Sequence, residues 1–169
     1  MHKDHSGGSD LARLLLRSMI GGTMIAHGVR HATSLEGTAR WFGSLGFRQP
    51  ELQARVSAGV ELASGAALLA GAATPIAASG VIGTLAVAAG SVHRPNGFFI
   101  TDEGYEYVLA LSVAAAALAA LGPGRISVDR ALGVDGPLSA GRVAGLTAIG
   151  LGVAGAVGHL KAFWTRPES

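Results

Sequence analysis

The sequence has no cysteine, few charged residues and few aromatic residues. Charged side chains make up 14% of the 169 residues, whereas soluble domains usually contain about a quarter. The absence of cysteine excludes a small disulfide-stapled domain and a thiol nucleophile. No serine lies in the elbow motif of hydrolases, which argues against nucleophilic catalysis. With 49% hydrophobic residues and a net charge of only +2, the chain does not have the composition of a disordered protein either.

What the chain has in abundance is small and apolar residues. It contains 31 alanines and 26 glycines, and its mean hydropathy is +0.42. The chain has too few polar residues to cover the surface of a water-soluble protein, so the composition predicts a membrane protein. No basic cluster is dense enough to indicate binding to nucleic acid, and the expected surroundings are the lipid bilayer.

Long uncharged runs predict five membrane-spanning helices. Residues 62–92 hold no charged residue and no histidine, and this run is too long for one span of about 20 residues. Pro75 lies near its middle, so Thr74 and Pro75 predict a turn between two spans. Arg13 and Arg17 lie near the start of the first span, where arginines can extend to the interface. The result is an all-α polytopic bundle with spans at 11–31, 55–73, 76–93, 105–122 and 142–161.

Small residues predict where helices of this bundle pack closely, and loop aromatics predict where it contacts lipid headgroups. Gly141 and Gly145 form a GxxxG pair, a pattern that permits close helix packing in lipid. It is equally consistent with an alanine- and glycine-rich composition. Aromatic residues in two loops predict contacts at the headgroup level. These are Trp41 and Phe42 in a short helix of the first loop, and Phe98 and Phe99 between the third and fourth spans.

The few polar residues near the spans collect at one end of the predicted bundle. With five spans, the ends of spans 1, 3 and 5 and the starts of spans 2 and 4 face the same side. A carboxylate inside a span is costly and normally has a partner, and for Glu61 we expect His27 or Arg30. The sequence gives less reason to assign a role to His159, near the chain end. The candidate cluster comprises His27, Arg30, Glu61, His93, Asn96, Tyr105 and Glu106.

Several interpretations of this cluster stay open. The Glu61 pair is either a structural link between spans 1 and 2 or part of a pocket that handles protons or a ligand. His27, His93, Glu61 and Glu106 are chemically suitable for a metal, but no two of these four share a helix at metal-ligand spacing. A haem has no specific support. A quinone headgroup needs hydrogen-bonding groups at the end of an apolar cleft, which this cluster offers. The cofactor is therefore unknown, with quinone and metal both under consideration.

The motifs in these segments resemble those of the DoxX family of small bacterial membrane proteins. The resemblance covers roughly residues 11–132, and the Asn-Gly-Phe-Phe and Gly-Tyr-Glu-Tyr pieces are its most specific parts. The matching pieces are Ala26-His27-Gly28-Val29, Trp41-Phe42-Gly43-Ser44-Leu45-Gly46, Glu61-Leu62-Ala63-Ser64-Gly65, Leu68-Leu69-Ala70-Gly71, His93-Arg94-Pro95-Asn96-Gly97-Phe98-Phe99, Gly104-Tyr105-Glu106-Tyr107 and the segment 121–129.

The resemblance implies a domain organisation and an orientation. A polar tail (1–10) precedes a four-helix domain (11–132), and a linker (133–141), an added span (142–161) and a second tail (162–169) follow. Both ends of the four-helix domain would be cytoplasmic, in a bacterial cell membrane, and the fifth span would place the C-terminus outside. The lysine and arginine counts of the two sides are nearly equal, so charge alone does not decide the orientation.

The resemblance also implies a link to redox chemistry. The family is similar to the membrane subunit of a thiosulfate:quinone oxidoreductase, and some members are tied to thiol-stress complexes with superoxide dismutase and a sulfurtransferase. Because this chain has no cysteine, any thiol belongs to a partner or a substrate. One hypothesis is a membrane subunit of an oxidoreductase, working with other subunits of a membrane complex. The alternative is a non-catalytic scaffold that docks a larger complex.

Overall fold

The computed structural model describes residues 6–136 and 138–167, and it is all-α. The predicted fold class is confirmed: within the described residues, the five predicted spans correspond to α1, α3, α4, α5 and α7. By length and composition, the continuous helices Thr74–Asn96 and Gly141–Phe163 can cross a membrane, and α5 is a shorter apolar helix. The helices are α1 (Ser6–Thr33), α2 (Leu35–Ser44), α3 (Pro50–Ala70), α4 (Thr74–Ala88), α5 (Glu106–Leu121), α6 (Val128–Ala131) and α7 (Gly141–Phe163).

Helix α4 continues into a π-helical turn at Ala89–His93 and a 3-10 turn at Arg94–Asn96, and a second 3-10 turn covers Ile100–Asp102. Helix α1 begins within the segment predicted as a polar tail. Other parts of the predicted tails and linker, namely residues 1–5, 137 and 168–169, lie outside the described residues.

The turn between α3 and α4 lies where Thr74 and Pro75 predict it. Gly71 ends α3 with a φ of +66°, and Pro75 lies in the first turn of α4, where a missing N–H costs nothing. The Asp129 carboxylate of α6 accepts hydrogen bonds from the backbone N–H groups of Ala73 (2.8 Å) and Thr74 (3.4 Å). These bonds pair N–H groups that the helix start leaves without a partner.

Helices α1, α3, α4 and α5 pack in a ring, and α7 packs outside it against α4 and α5. The closest approach joins α1 and α3 at two glycines. A Cβ on Gly21 would lie 2.7 Å from the Gly65 carbonyl oxygen, and a Cβ on Gly65 would lie 2.8 Å from the Gly21 oxygen. Only glycine permits this contact, as is usual where membrane helices associate by close packing.

The glycines of α7 differ in their packing. Gly145 packs against Ala120 of α5, and a Cβ on Gly152 would lie 2.8 Å from the Ser79 carbonyl oxygen of α4. Gly141 makes no close helix contact within the described residues, since nothing lies within 4 Å of its Cβ direction, and its place in an interface stays a prediction. Its φ is +87°, so its role is to let the chain turn into the helix, where glycine carries no steric penalty.

Arg17 does not extend to the interface as its place in the sequence suggested. Its side chain is buried, with 4% of the residue exposed. The guanidinium donates to the carbonyl oxygens of Leu68 (2.8 Å) and Leu69 at the end of α3, and to those of Pro123 (3.2 Å) and Ile126 after α5. The reason is local: carbonyls near the ends of these segments keep acceptor capacity, even where one of them, that of Leu68, also accepts from the Gly71 N–H, and the five N–H donors of arginine can bond to several of them.

Candidate functional site

A cavity of about 570 Å³ lies at the end of the bundle where the polar residues collect. Its walls come from the end of α1, α2 with the loop that follows it, the start of α3, the end of α4 with the π turn, the start of α5 and the second half of α7. Most of the lining is apolar. The cavity is open to the outside of the bundle, because Leu151 and Tyr107 line it and are 57% and 45% exposed.

His31 and Glu61 form a side-chain hydrogen bond in the cavity wall. His31 Nδ1 lies 2.8 Å from Glu61 Oε2, and the Ser57 hydroxyl donates to Glu61 Oε1 over 3.2 Å. Glu61 is 4% exposed, so the buried carboxylate has a partner on each oxygen. Gly28 allows α1 and α3 to approach here, since a Cβ on it would lie 3.1 Å from the Ala58 carbonyl oxygen.

The partner of Glu61 is therefore His31, and the expected pairing with His27 or Arg30 is wrong. His27 lies one helical turn earlier and lines the cavity, with its ring centroid 6.4 Å from that of His31. Arg30 is exposed and is not part of the lining. The signal that could have found His31 is its spacing from His27, because residues four apart share a helix face.

The π-helical turn places the end of α4 against the cavity. Ser91, Val92 and His93 all line it. His93 Nδ1 donates to the Glu103 carbonyl oxygen over 2.7 Å, which leaves its other ring nitrogen free to accept a hydrogen bond in the neutral form. Single π-helical turns inside α-helices are frequent at functional sites.

Three further residues of the predicted cluster organise the loop between α4 and α5 and do not line the cavity. The Asn96 amide donates to the Glu103 carbonyl oxygen over 3.5 Å. A Glu106 carboxylate oxygen accepts from the Ile100 N–H over 3.0 Å. The Tyr105 ring packs edge-on against Phe98 with centroids 5.5 Å apart. The tyrosine that does line the cavity is Tyr107, two residues further on.

The predicted interface aromatics separate into two groups. Trp41 and Phe42 of α2 line the cavity, and the Phe42 ring lies 6.0 Å from the His31 ring. Phe98 and Phe99 are exposed on the α4–α5 loop, away from the lining. Their exposure is compatible with contact to headgroups, as the sequence predicts.

The described part of the chain offers no ready metal site, because no three of its His, Asp or Glu side chains are grouped to hold an ion. The polar end of the cavity instead offers hydrogen-bonding groups beside a wide apolar surface. The arrangement suits a ligand whose ring carries hydrogen-bonding groups and whose other parts are apolar.

Comparison with known proteins identifies a family. Residues 12–94 match the DoxX family model, which covers α1 to the π turn of α4. No curated protein and no solved structure matches the sequence significantly. The matched region holds His27, His31, Glu61 and His93 of the cavity wall, whereas α5 and α7 lie beyond it. Over residues 12–94 the chain is therefore similar to the DoxX family, which is a family of helical membrane proteins.

Proposed function

We propose that this protein is a membrane subunit of an oxidoreductase and that its cavity binds the headgroup of a quinone. The observation that carries the proposal is the contact between His31 and the buried Glu61 carboxylate at the wall of an apolar cavity. A quinone presents carbonyl oxygens on an apolar ring, and its reduced form presents hydroxyl groups at the same positions. Both need a group that can donate or accept a hydrogen bond in an otherwise apolar site.

The His31–Glu61 pair can supply both roles. When His31 is neutral and its Nδ1–H donates to Glu61, its Nε2 accepts a hydrogen bond from a quinol hydroxyl. When His31 is protonated, the carboxylate stabilises the imidazolium and Nε2–H donates to a quinone carbonyl. With the quinone bound, Nε2 carries a proton and donates it in a hydrogen bond. With the quinol bound, Nε2 carries no proton and accepts a hydrogen bond.

The size and openness of the cavity support the same ligand. Its volume of about 570 Å³ lies within the usual range of small-molecule sites, about 300–1,000 Å³. The exposed rim residues Leu151 and Tyr107 leave a side opening through which a ligand dissolved in the bilayer can enter. From the orientation that the family resemblance implies, we place this end of the bundle on the extracytoplasmic side.

A matched pair of substitutions on α7 tests quinone binding. Gly155 lines the cavity and a Cβ there would meet nothing within 4 Å, so Gly155→Leu adds a side chain at the cavity wall with no clash at Cβ. Gly150 is equally open but is not in the lining, so Gly150→Leu is the control for the gain in helix propensity. The measurement is quenching of tryptophan fluorescence by a short-tailed 1,4-benzoquinone, with the protein in lipid nanodiscs and Trp164→Phe as the common background, so that the signal comes from Trp41 in the cavity wall.

We expect Gly155→Leu to weaken binding by about tenfold or more, since it removes space for the ring, and Gly150→Leu to leave affinity unchanged. Glu61→Gln should also weaken binding while the protein remains inserted and monodisperse. Equal affinities for the wild type and Gly155→Leu would contradict the proposed site. A well-folded protein that binds no quinone would instead favour a scaffold that docks a larger complex.

A further inference from the structure

Helix α7 lies outside the region that matches the family, yet it forms a wall of the cavity. Five of its residues line the cavity: Leu151, Gly152, Gly155, Ala156 and His159. The first four are apolar or lack a side chain, so His159 is the polar group of this wall. Because α7 packs against α4 and α5, His159 reaches the cavity from a different wall than His31 and Glu61, which belong to α1 and α3.

The end of α7 is fastened to the loop between α2 and α3. Phe47 and Trp164 form an isolated antiparallel bridge, in which the Arg48 N–H donates to the Phe163 oxygen over 2.7 Å and the Thr165 N–H donates to the Gly46 oxygen over 3.0 Å. The Trp164 indole N–H donates to the Leu45 oxygen over 2.7 Å. Leu45 and Phe47 also line the cavity, so the bridge sets the position of α7 relative to the site.

Aromatic packing then fixes the His159 ring. Its centroid lies 6.0 Å from that of Phe47 and 5.3 Å from that of Phe163. Phe47 in turn lies 5.5 Å from Phe42, which contacts His31. A continuous series of ring contacts thus connects the two histidines along the cavity wall.

The hydrogen-bonding capacity of His159 is not used within the described part of the protein. His31 is paired with Glu61, and His93 donates to a backbone carbonyl, whereas the His159 ring nitrogens have ring contacts alone among the described residues. A half-buried imidazole that is held in place without a polar partner is suited to bind a ligand atom.

We propose that His159 is a second polar contact to the ligand and that it makes the cavity selective for rings with oxygen atoms on two sides. This inference rests on the proposed function. In it, the His31–Glu61 pair binds one oxygen of a 1,4-quinone and His159 donates a hydrogen bond to the other. A ring with a single carbonyl can accept a hydrogen bond from only one of the two walls. The imidazole of the other wall then has no partner, which weakens binding.

The test compares two ligands of nearly equal shape, 1,4-naphthoquinone and 1-tetralone, which has one carbonyl. Affinities are measured by calorimetry on full-length protein in nanodiscs. We expect the wild type to bind the quinone about tenfold more tightly than the monoketone, the value of one hydrogen bond. The variant His159→Phe should lose this preference, and His159→Gln, which keeps an N–H donor, should retain much of it. The control Lys161→Gln changes an exposed residue of the same helix and should behave as the wild type.

Unchanged quinone preference in His159→Phe would overturn the inference while leaving the proposed quinone site intact. Loss of quinone binding in every protein, the wild type included, would instead remove the proposed function and this inference together. If His159→Phe does not fold, the wild type and His159→Gln still provide the test. A preference for the quinone over the monoketone in both proteins supports the donor role of His159, and no such preference in the wild type contradicts it.

Discussion

Replacing Arg17 by methionine tests whether this arginine joins the ends of α3 and α5 inside the bundle. The guanidinium donates hydrogen bonds to four backbone carbonyl oxygens. Two of these bonds, to Leu68 and Pro123, are fully buried. Methionine fills a similar volume and keeps helix propensity, but it cannot donate. The Leu68 and Pro123 oxygens would each lose a buried bond, although the Leu68 oxygen still accepts from the Gly71 N–H, so part of the desolvation cost of these groups is not recovered.

The expected loss can be worked from the buried bonds. A hydrogen bond to a charged group contributes about 1.5–3 kcal/mol, and two of the four bonds of Arg17 lie wholly in the interior. Burying the guanidinium has its own desolvation cost, which offsets part of this gain. We therefore expect Arg17→Met to lower the free energy of unfolding by about 3 kcal/mol, which for a chain of this length lowers Tm by roughly 6–12 °C.

A neighbouring arginine provides the matched control. Arg13 donates to one backbone carbonyl, that of Leu121 at 3.1 Å, and to Asp10 near the surface, so Arg13→Met should cost only about 1 kcal/mol. Arg17→Lys should lie between the two, because an ammonium group cannot reach all of the carbonyls that a guanidinium fork reaches. The assay is unfolding in mixed micelles with increasing SDS fraction, together with Tm in detergent. Equal losses for Arg17→Met and Arg13→Met would refute the burial argument and favour an arginine that extends to the interface.

Two further predictions concern the contact between α1 and α3. Gly21→Ala would place a Cβ 2.7 Å from a carbonyl oxygen of α3 and should destabilise the protein by about 1–3 kcal/mol, whereas Gly22→Ala faces open space and should be neutral or slightly stabilising in the same Tm assay; a similar Tm for both would contradict the close contact. A double-mutant cycle of His31→Ala and Glu61→Ala should give a coupling energy of about 1–2 kcal/mol, and simple additivity of the two losses would show that the pair does not interact.

Sequence reasoning located the helices because each depends on local composition. The uncharged runs and Pro75 predict where spans begin and end, since lipid excludes unpaired backbone groups and charges. It also singled out Glu61, because a carboxylate within an apolar run needs a partner. The family resemblance rested on motifs within residues 11–132, and the match to the family model confirms it over residues 12–94. The Asn-Gly-Phe-Phe and Gly-Tyr-Glu-Tyr pieces lie beyond the matched region.

The partners of these residues were harder to predict. Which histidine meets Glu61 depends on the rotation and depth of α1 against α3, and those are set by the glycine contacts between the two helices. One turn of helix separates His27 from His31, so a small change in register would exchange them. Asn96, Tyr105 and Glu106 lie near the predicted site in sequence, but hydrogen bonds within their own loop and the packing of Tyr105 on Phe98 hold them there.

By itself, the sequence determined that this is an all-α membrane protein, and it predicted that much of its scarce intramembrane polarity lies at one end. Both properties follow from composition and from the parity of the spans. The tertiary structure decided which of these groups share a cavity, because packing of non-adjacent helices is not encoded in spacing along the chain. It brought His159 of α7 to the same cavity as Glu61 of α3, and it turned Arg17 inward toward carbonyls that no local pattern had placed beside it.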